Sequence, residues 1–161
     1  MAIIRQQIVD SITAKLQAIT YANSYNREVG TGRVYNANKL PQQIPTPSII
    51  VLQGQENANN SVGDRDECCI SISIAFIDSY SGSDPDVEAN EFLADIKKAM
   101  SGAELTITTT NYSTGASATT FAQILERGSA LNAGDPVRGK IYGEVHYNVQ
   151  YQRSIFDPSK Q

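Results

Sequence analysis

The chain has little of what reactive sites are made from. Its 161 residues include one histidine, His146, and two cysteines, Cys68 and Cys69. The cysteines are adjacent, so on a strand they point to opposite faces and cannot easily bridge to each other. A reduced, intracellular site of synthesis is the natural reading of that pair. Positive charge is not in excess: 13 Lys and Arg stand against 17 Asp and Glu, for a net charge of -4. That balance leaves no basic footprint for tight nucleic-acid binding. Long apolar runs are missing as well. No stretch approaches the roughly 20 apolar residues of a membrane span, and residues 1–8, interrupted by Arg5, Gln6 and Gln7, do not read as a secretory signal. With no internal repeat and no clear linker, one domain over 1–161 is expected.

What the chain does have is alternation. Between residues 139 and 152, Ile141, Val145, Tyr147, Val149 and Tyr151 occupy one side of a two-residue period, with Gly143 as the one gap. Lys140, Tyr142, Glu144, His146, Asn148, Gln150 and Gln152 occupy the other. The pattern predicts a strand with one buried and one wet face. At about 3.4 Å per residue it would run roughly 45 Å, enough to cross a whole sheet. A second alternation runs from 67 to 78, with Ile70, Ile72, Ile74 and Phe76 facing one way and Ser71, Ser73, Ala75 and Ile77 the other. The small residues predict that something packs closely on their side, and the helix that follows is the candidate.

That helix is expected over 85–101. Asp84 precedes Pro85, a capping residue before a proline at the first helical position, and Asp86 and Glu88 suit the positive end. Ala89, Phe92, Leu93, Ile96 and Met100 form its apolar stripe, Lys97 and Lys98 its last turn, and Gly102 its stop. An earlier amphipathic helix is predicted over 3–22 from Ile4, Ile8, Ile12, Leu16 and Ile19. Residues 23–47 read as irregular, with a short edge strand at 33–35 and prolines at 41, 45 and 47. Residues 48–52 read as a short central strand, and 53–66 as an exposed polar loop or long hairpin connection. After a short strand at 105–108, residues 109–118 read as a second polar loop. Phe121 and Leu125 are expected core positions of a segment at 119–127, residues 130–138 are expected to be loop, and the tail from 154 loose. The fold class is α+β: a largely antiparallel sheet with two main helices on one face and a long C-terminal strand.

Candidate chemistry is sparse. A thiol nucleophile would need His146 beside Cys68 or Cys69, yet a strand is not where such cysteines usually sit, and the imidazole reads as solvated or interfacial. Asp64, Asp66 and Glu67 cluster in one place, Asp78, Asp84, Asp86 and Glu88 in another. Neither matches a calcium loop, and helix capping accounts for most of the second. Residues 30–32 lack the rest of a phosphate-binding loop. No catalytic, cofactor or metal residue is therefore assigned. The polar loops and sheet edges are left as contact surfaces. Their candidate residues are Glu56, Asn57, Asn59, Asp64, Arg65, Asp66, Tyr112, Ser113, Thr114, Arg138 and His146.

The order of these features resembles the tail terminator (tail completion) proteins of long, non-contractile bacteriophage tails, among them those of T5-like phages. The likeness lies in the N-terminal helix, the strand at 48–52 running into a polar stretch, and Arg65-Asp66-Glu67-Cys68-Cys69-Ile70-Ser71-Ile72-Ser73-Ile74. It continues in Val87-Glu88-Ala89-Asn90-Glu91-Phe92-Leu93-Ala94-Asp95-Ile96 and closes on Glu144-Val145-His146-Tyr147-Asn148-Val149-Gln150-Tyr151-Gln152-Arg153. The segment 103–138 aligns least well. The resemblance implies a structural virion protein at the head-proximal end of the tail, made in the host cytoplasm. Six copies would form a ring that ends growth of the tail tube protein and docks the head connector or neck protein. Double-stranded DNA would pass through the ring without specific binding, so an acidic or neutral lumen is expected. Neither cofactor nor membrane is implied. Two other classes stay open: another neck or tube component, and a small metal-dependent hydrolase using the clustered carboxylates.

Overall fold

A computed structural model of the protein describes residues 4–62, 65–80, 82, 84–102, 104–110, 117–135 and 139–154. The chain runs α1 (Ile4–Gln17), β1 (Val34–Asn36), β2 (Ser48–Val62), β3 (Arg65–Ser79), α2 (Pro85–Met100), β4 (Glu104–Thr110), β5 (Ser117–Asp135) and β6 (Lys140–Ser154). The strands form a six-stranded sheet in the order β1-β2-β3-β6-β5-β4. Only β1 pairs in parallel, with residues 49–51 of β2, and every other neighbour is antiparallel. The α+β class holds.

The alternating C-terminal run becomes β6, paired with β3 along its whole length, from Ser79↔Lys140 to Arg65↔Ser154, and with β5 on its other side. Ile141, Val145, Tyr147, Val149 and Tyr151 are buried, as the two-residue period requires. The gap at Gly143 has a packing cause. A Cβ there would lie 2.5 Å from the Phe76 ring and 2.9 Å from Leu131 Cδ2. Phe76 thus uses the volume that a side chain at 143 would occupy.

Both helices lie against this buried face. On α2, Asp84 caps the N-terminus, its Oδ1 accepting from the amides of Asp86 at 3.1 Å and Val87 at 3.3 Å. Phe92 packs on Phe76 with ring centroids 4.5 Å apart, and Ile96, Leu93 and Met100 complete the stripe. Each such side chain removed from water contributes about 1.5–3 kcal/mol. From α1, Ile4, Ile8, Val9, Ile12 and Leu16 are buried. That helix touches β1 and β2 at one end of the strand order and β4 at the other. The sheet therefore curls around it as a half-barrel. Regular α-helix ends at Gln17, short of the expected residue 22, although Ile19 is fully buried beyond it.

Three expectations are corrected. Residues 53–62 and 65–66 are paired strand of a long β2–β3 hairpin and not an exposed loop: β2 continues to Val62 and β3 begins at Arg65, with 63 and 64 outside the described residues. The polar composition hid this, because pairing with β3 supplies the backbone partners that the side chains do not announce. Second, residues 130–135 are strand, and Phe121 and Leu125 are not core. They are 59% and 37% exposed, whereas Ala122 is buried and Ile124 half-buried against the core. Pairing of Ile124 with Val149 sets that parity, and a register shift between Glu126 and Gly128 then reverses it. Third, α2 does not cover the small residues of β3. It covers Phe76, and Ser71, Ser73 and Ala75 lie on the opposite, helix-free face. Thr109, Thr110, Ser117 and Ala118 are strand, while 111–116 lie outside the described residues, as does the tail beyond 154.

Candidate assembly surfaces

His146 sits in the middle of the helix-free face, opposite Ser73. Its Nδ1 is 2.8 Å from Ser73 Oγ and its Nε2 3.4 Å from Glu144 Oε1. The two cysteines are elsewhere: Cys68 pairs with Tyr151 and is buried, and Cys69 pairs with Gln150. Four residues of strand, roughly 13 Å, separate Gln150 from His146. No Cys–His pair forms. The serine–histidine contact is a cross-strand pair within the β3–β6 ladder.

The carboxylates are dispersed into structural work. Asp84 caps α2. Asp78 is buried at the end of β3, where its Oδ2 lies 2.9 Å from Arg27 Nε and its Oδ1 accepts from the Ser79 amide at 2.8 Å. Burial raises the Asp78 pKa above the usual aspartate value; the Ser79 amide and Arg27 pull it partly back. Arg27 also approaches Glu88 and Glu91 of α2, at 3.7 and 3.4 Å. Asp95, 1% exposed, accepts from both the backbone amide and the side-chain amide of Asn26. Lys98 Nζ donates to Ser24 O at 2.7 Å and stands 4.4 Å from the centre of the Tyr25 ring. Residues 24–27 are thereby pinned to α2 and to the end of β3. Nothing periodic in the sequence marks these residues, and only their fixed-charge types could have hinted at it. Among the described residues, no three His, Cys, Asp or Glu side chains converge as metal ligands would.

Of the candidate contact residues, Glu56 and Asn57 lie on β2 opposite Ile70 and Cys69; Glu56 is half-buried and Asn57 exposed. Asn59 falls in a register shift between Ala58 and Asn60. Arg65 and Asp66 open β3, opposite Ser154 and Arg153 of β6. Asp64, Tyr112, Ser113, Thr114 and Arg138 lie outside the described residues. The structure thus places Glu56, Asn57 and Asn59 on one sheet margin and His146 in the centre of the sheet.

Two surface features were not visible in the sequence. The helix-free face is apolar at one end, where Ile44, Ile50, Ala75, Ile77 and Tyr142 border a shallow depression of about 420 Å³. Toward its middle, Ser71, Ser73, His146, Asn148 and Gln150 replace them. Among the described side chains that β3 and β6 send to this face, Glu67 and Glu144 are acidic and Lys140, at the outer end, is the cation. The second feature is at the margins. β1 covers β2 only at 49–51, and β4 covers β5 only at 117–123. Among the described residues, no strand pairs with the outer side of β2 beyond 51 or of β5 beyond 123.

Among the described residues, no helix is long and apolar enough to cross a membrane. No family model and no curated protein matches the chain. A solved structure does. A chain from the "Virion of native gene transfer agent (GTA) particle" shares the fold with a TM-score of 0.59 and 11% sequence identity, over 93% of this chain and 98% of that one.

Proposed function

We propose that this chain is a structural virion protein of a phage-like particle: a tail terminator that assembles as a ring of six on the finished tail tube. The ring stops addition of the tail tube protein and forms the surface to which the head connector docks. The observation that carries the virion role is the end-to-end agreement of fold with a chain of a gene transfer agent virion, with neither chain leaving a large part unmatched. Open margins on both sides of the sheet are the second support, since a head-to-tail ring needs two different contact surfaces on each copy. The single lysine among the described side chains that β3 and β6 send to the helix-free face suits a particle through which DNA must move without being held. A neutral or acidic passage remains the expectation, and a passage walled by Lys and Arg would contradict it. The chain acts without catalysis in this reading.

Deletion of the gene is the test. A terminator's loss yields tails of uncontrolled length that never join heads, visible in electron micrographs. Normal-length headless tails would instead favour a head-side neck component, the second reading that a likeness to a virion chain supports equally. Of the carboxylates of the hydrolase alternative, Asp78 and Asp84 are engaged in an ion pair and a helix cap, which leaves Asp64 and Asp66 as the residues whose replacement would test it.

A further inference from the structure

The two uncovered margins fit each other. Among the described residues, β1 pairs with the outer side of β2 up to residue 51 and no strand pairs with it from 52 to 62. On β5 the outer side pairs with β4 up to residue 123, and no described strand pairs with it from 124 to 135. Polarity also agrees. β2 is antiparallel to β3, β3 to β6 and β6 to β5, so β2 and β5 run in opposite directions. A second copy set beside the first with its strands in the same sense would bring its β2 antiparallel to this β5, the more stable pairing. With the copies level, the visiting β2 from residue 57 onward would lie beside the part of β5 that β4 covers, so the open lengths coincide only after a shift along the strands. The visiting β2 would meet the end of β4 after its last residues, and its own β1 would meet the end of β5.

We infer that copies of this chain join by that lap joint: residues 52–60 of one copy add as an antiparallel strand to residues 124–132 of the next. The inference rests on the ring reading and names its junction. Residues 52–62 and 124–135 contain no lysine and no proline, although register shifts interrupt both strands, at Gln53/Glu56 and Ala58/Asn60 of β2 and at Glu126/Gly128 and Asn132/Asp135 of β5. Arg5 blunts the first at its beginning, donating to Gly54 O at 2.9 Å and to Gln53 Oε1 at 3.0 Å. A two-fold pairing of β2 with β2 would leave both β5 margins open. The head-to-tail joint covers both with a single kind of contact, and it repeats until a rotation closes it. The joint also requires a stagger. Through the ladders Glu56 lies level with Ile70, Val149 and Ile124, yet it would meet the neighbour near Gly128. Because of the register shift between Glu126 and Gly128, Gly128 lies level with His146, three ladder steps from Val149, and three residues over four strand spacings correspond to a strand tilt of roughly 28°.

The test uses Asn57→Cys and Arg127→Cys, both at exposed positions, in a chain with Cys68→Ala and Cys69→Ser and a thermal melt to confirm folding. Purified protein is treated with a short bismaleimide over a range of concentrations and examined by denaturing electrophoresis and sedimentation. The lap joint predicts a ladder of bridged species in the chain carrying both new cysteines, and none when either is present alone. Bridged dimers from a single cysteine would mean a two-fold contact and overturn the joint. Oligomers that sediment but do not bridge would also overturn it while leaving the ring intact. An unbridged monomer at every concentration overturns it too, and the gene-deletion phenotype then decides the ring reading separately. Asn57→Lys in the otherwise native chain gives a check free of the cysteine replacements. Its melt should match the native protein's, and its association should weaken at least tenfold; unchanged association would count against the joint.

Discussion

The two faces of the sheet are made by the same strands and obey different rules. On the helix side, Ile72, Ile74, Phe76, Val145 and Val149 are buried and a single added carbon at 143 has nowhere to go. Across the same backbone, Ser71, Ser73, Asn148 and Gln150 meet no helix and remain partly or fully exposed. The difference separates stability from availability. One face spends its side chains on holding the fold, and the other keeps a surface that a partner can still use. Polar residues on alternate positions are the means, because a period of two lets one strand serve both roles.

Three substitutions probe that contrast, beginning where the effect should be greatest. Arg27→Met leaves Asp78 buried without its counter-charge, a loss of about 3–5 kcal/mol at neutral pH. Burial already holds the Asp78 pKa above the usual value. A carboxyl raised in this way favours folding when protonated. That contribution is fully present below the unfolded pKa and is lost as pH rises through the folded one. Removing Arg27 pushes the folded value higher still. The gap in stability between variant and native protein should therefore narrow as pH is lowered through the Asp78 titration. Urea melts at several pH values measure this, and a gap that does not change with pH would show that Asp78 is not the group involved.

Gly143→Ala comes next. Its Cβ would overlap the Phe76 ring, which is flanked by Phe92, and overpacking of this kind costs about 1–3 kcal/mol. A midpoint in urea indistinguishable from the native one would mean that the ring can move aside and that the covered face is looser than described. The smallest effect belongs to the other face. Ser73→Ala removes one hydrogen bond to a partly exposed imidazole and should change stability by no more than about 0.5 kcal/mol. A loss several times larger would break the contrast, since the helix-free face would then hold the fold together as firmly as the covered one does.

Much of this was legible from residue order, and the exceptions share a cause. β6, the buried side of β3, and α2 with its Asp84 cap each follow from a local period or a local signal. Residues 53–62 did not declare themselves, because their strand state comes from β3 alongside and not from any pattern of their own. Phe121 and Leu125 misled for a related reason. Both parities of that segment offer apolar residues, and the register against β6, together with the shift at Gly128, chose Ala122 and Ile124 for the interior. The Arg27–Asp78 pair joins residues 51 positions apart by their numbers, beyond the reach of any local rule. For the contact residues the position is similar. Glu56, Asn57 and Asn59 lie on a sheet margin, a setting that their polarity alone could not distinguish from a loop.

By itself, then, the order of residues determined the class of fold, the strand that crosses the sheet, the capped second helix, and which side of each alternating strand turns inward. These depend on neighbours two to four positions away. Tertiary structure alone decided which face the helices cover, how far β2 and β5 extend, and that their outer margins stay open on opposite sides. Those properties depend on what lies beside a strand in space, and hydrogen bonds between strands carry no mark in the sequence of either one.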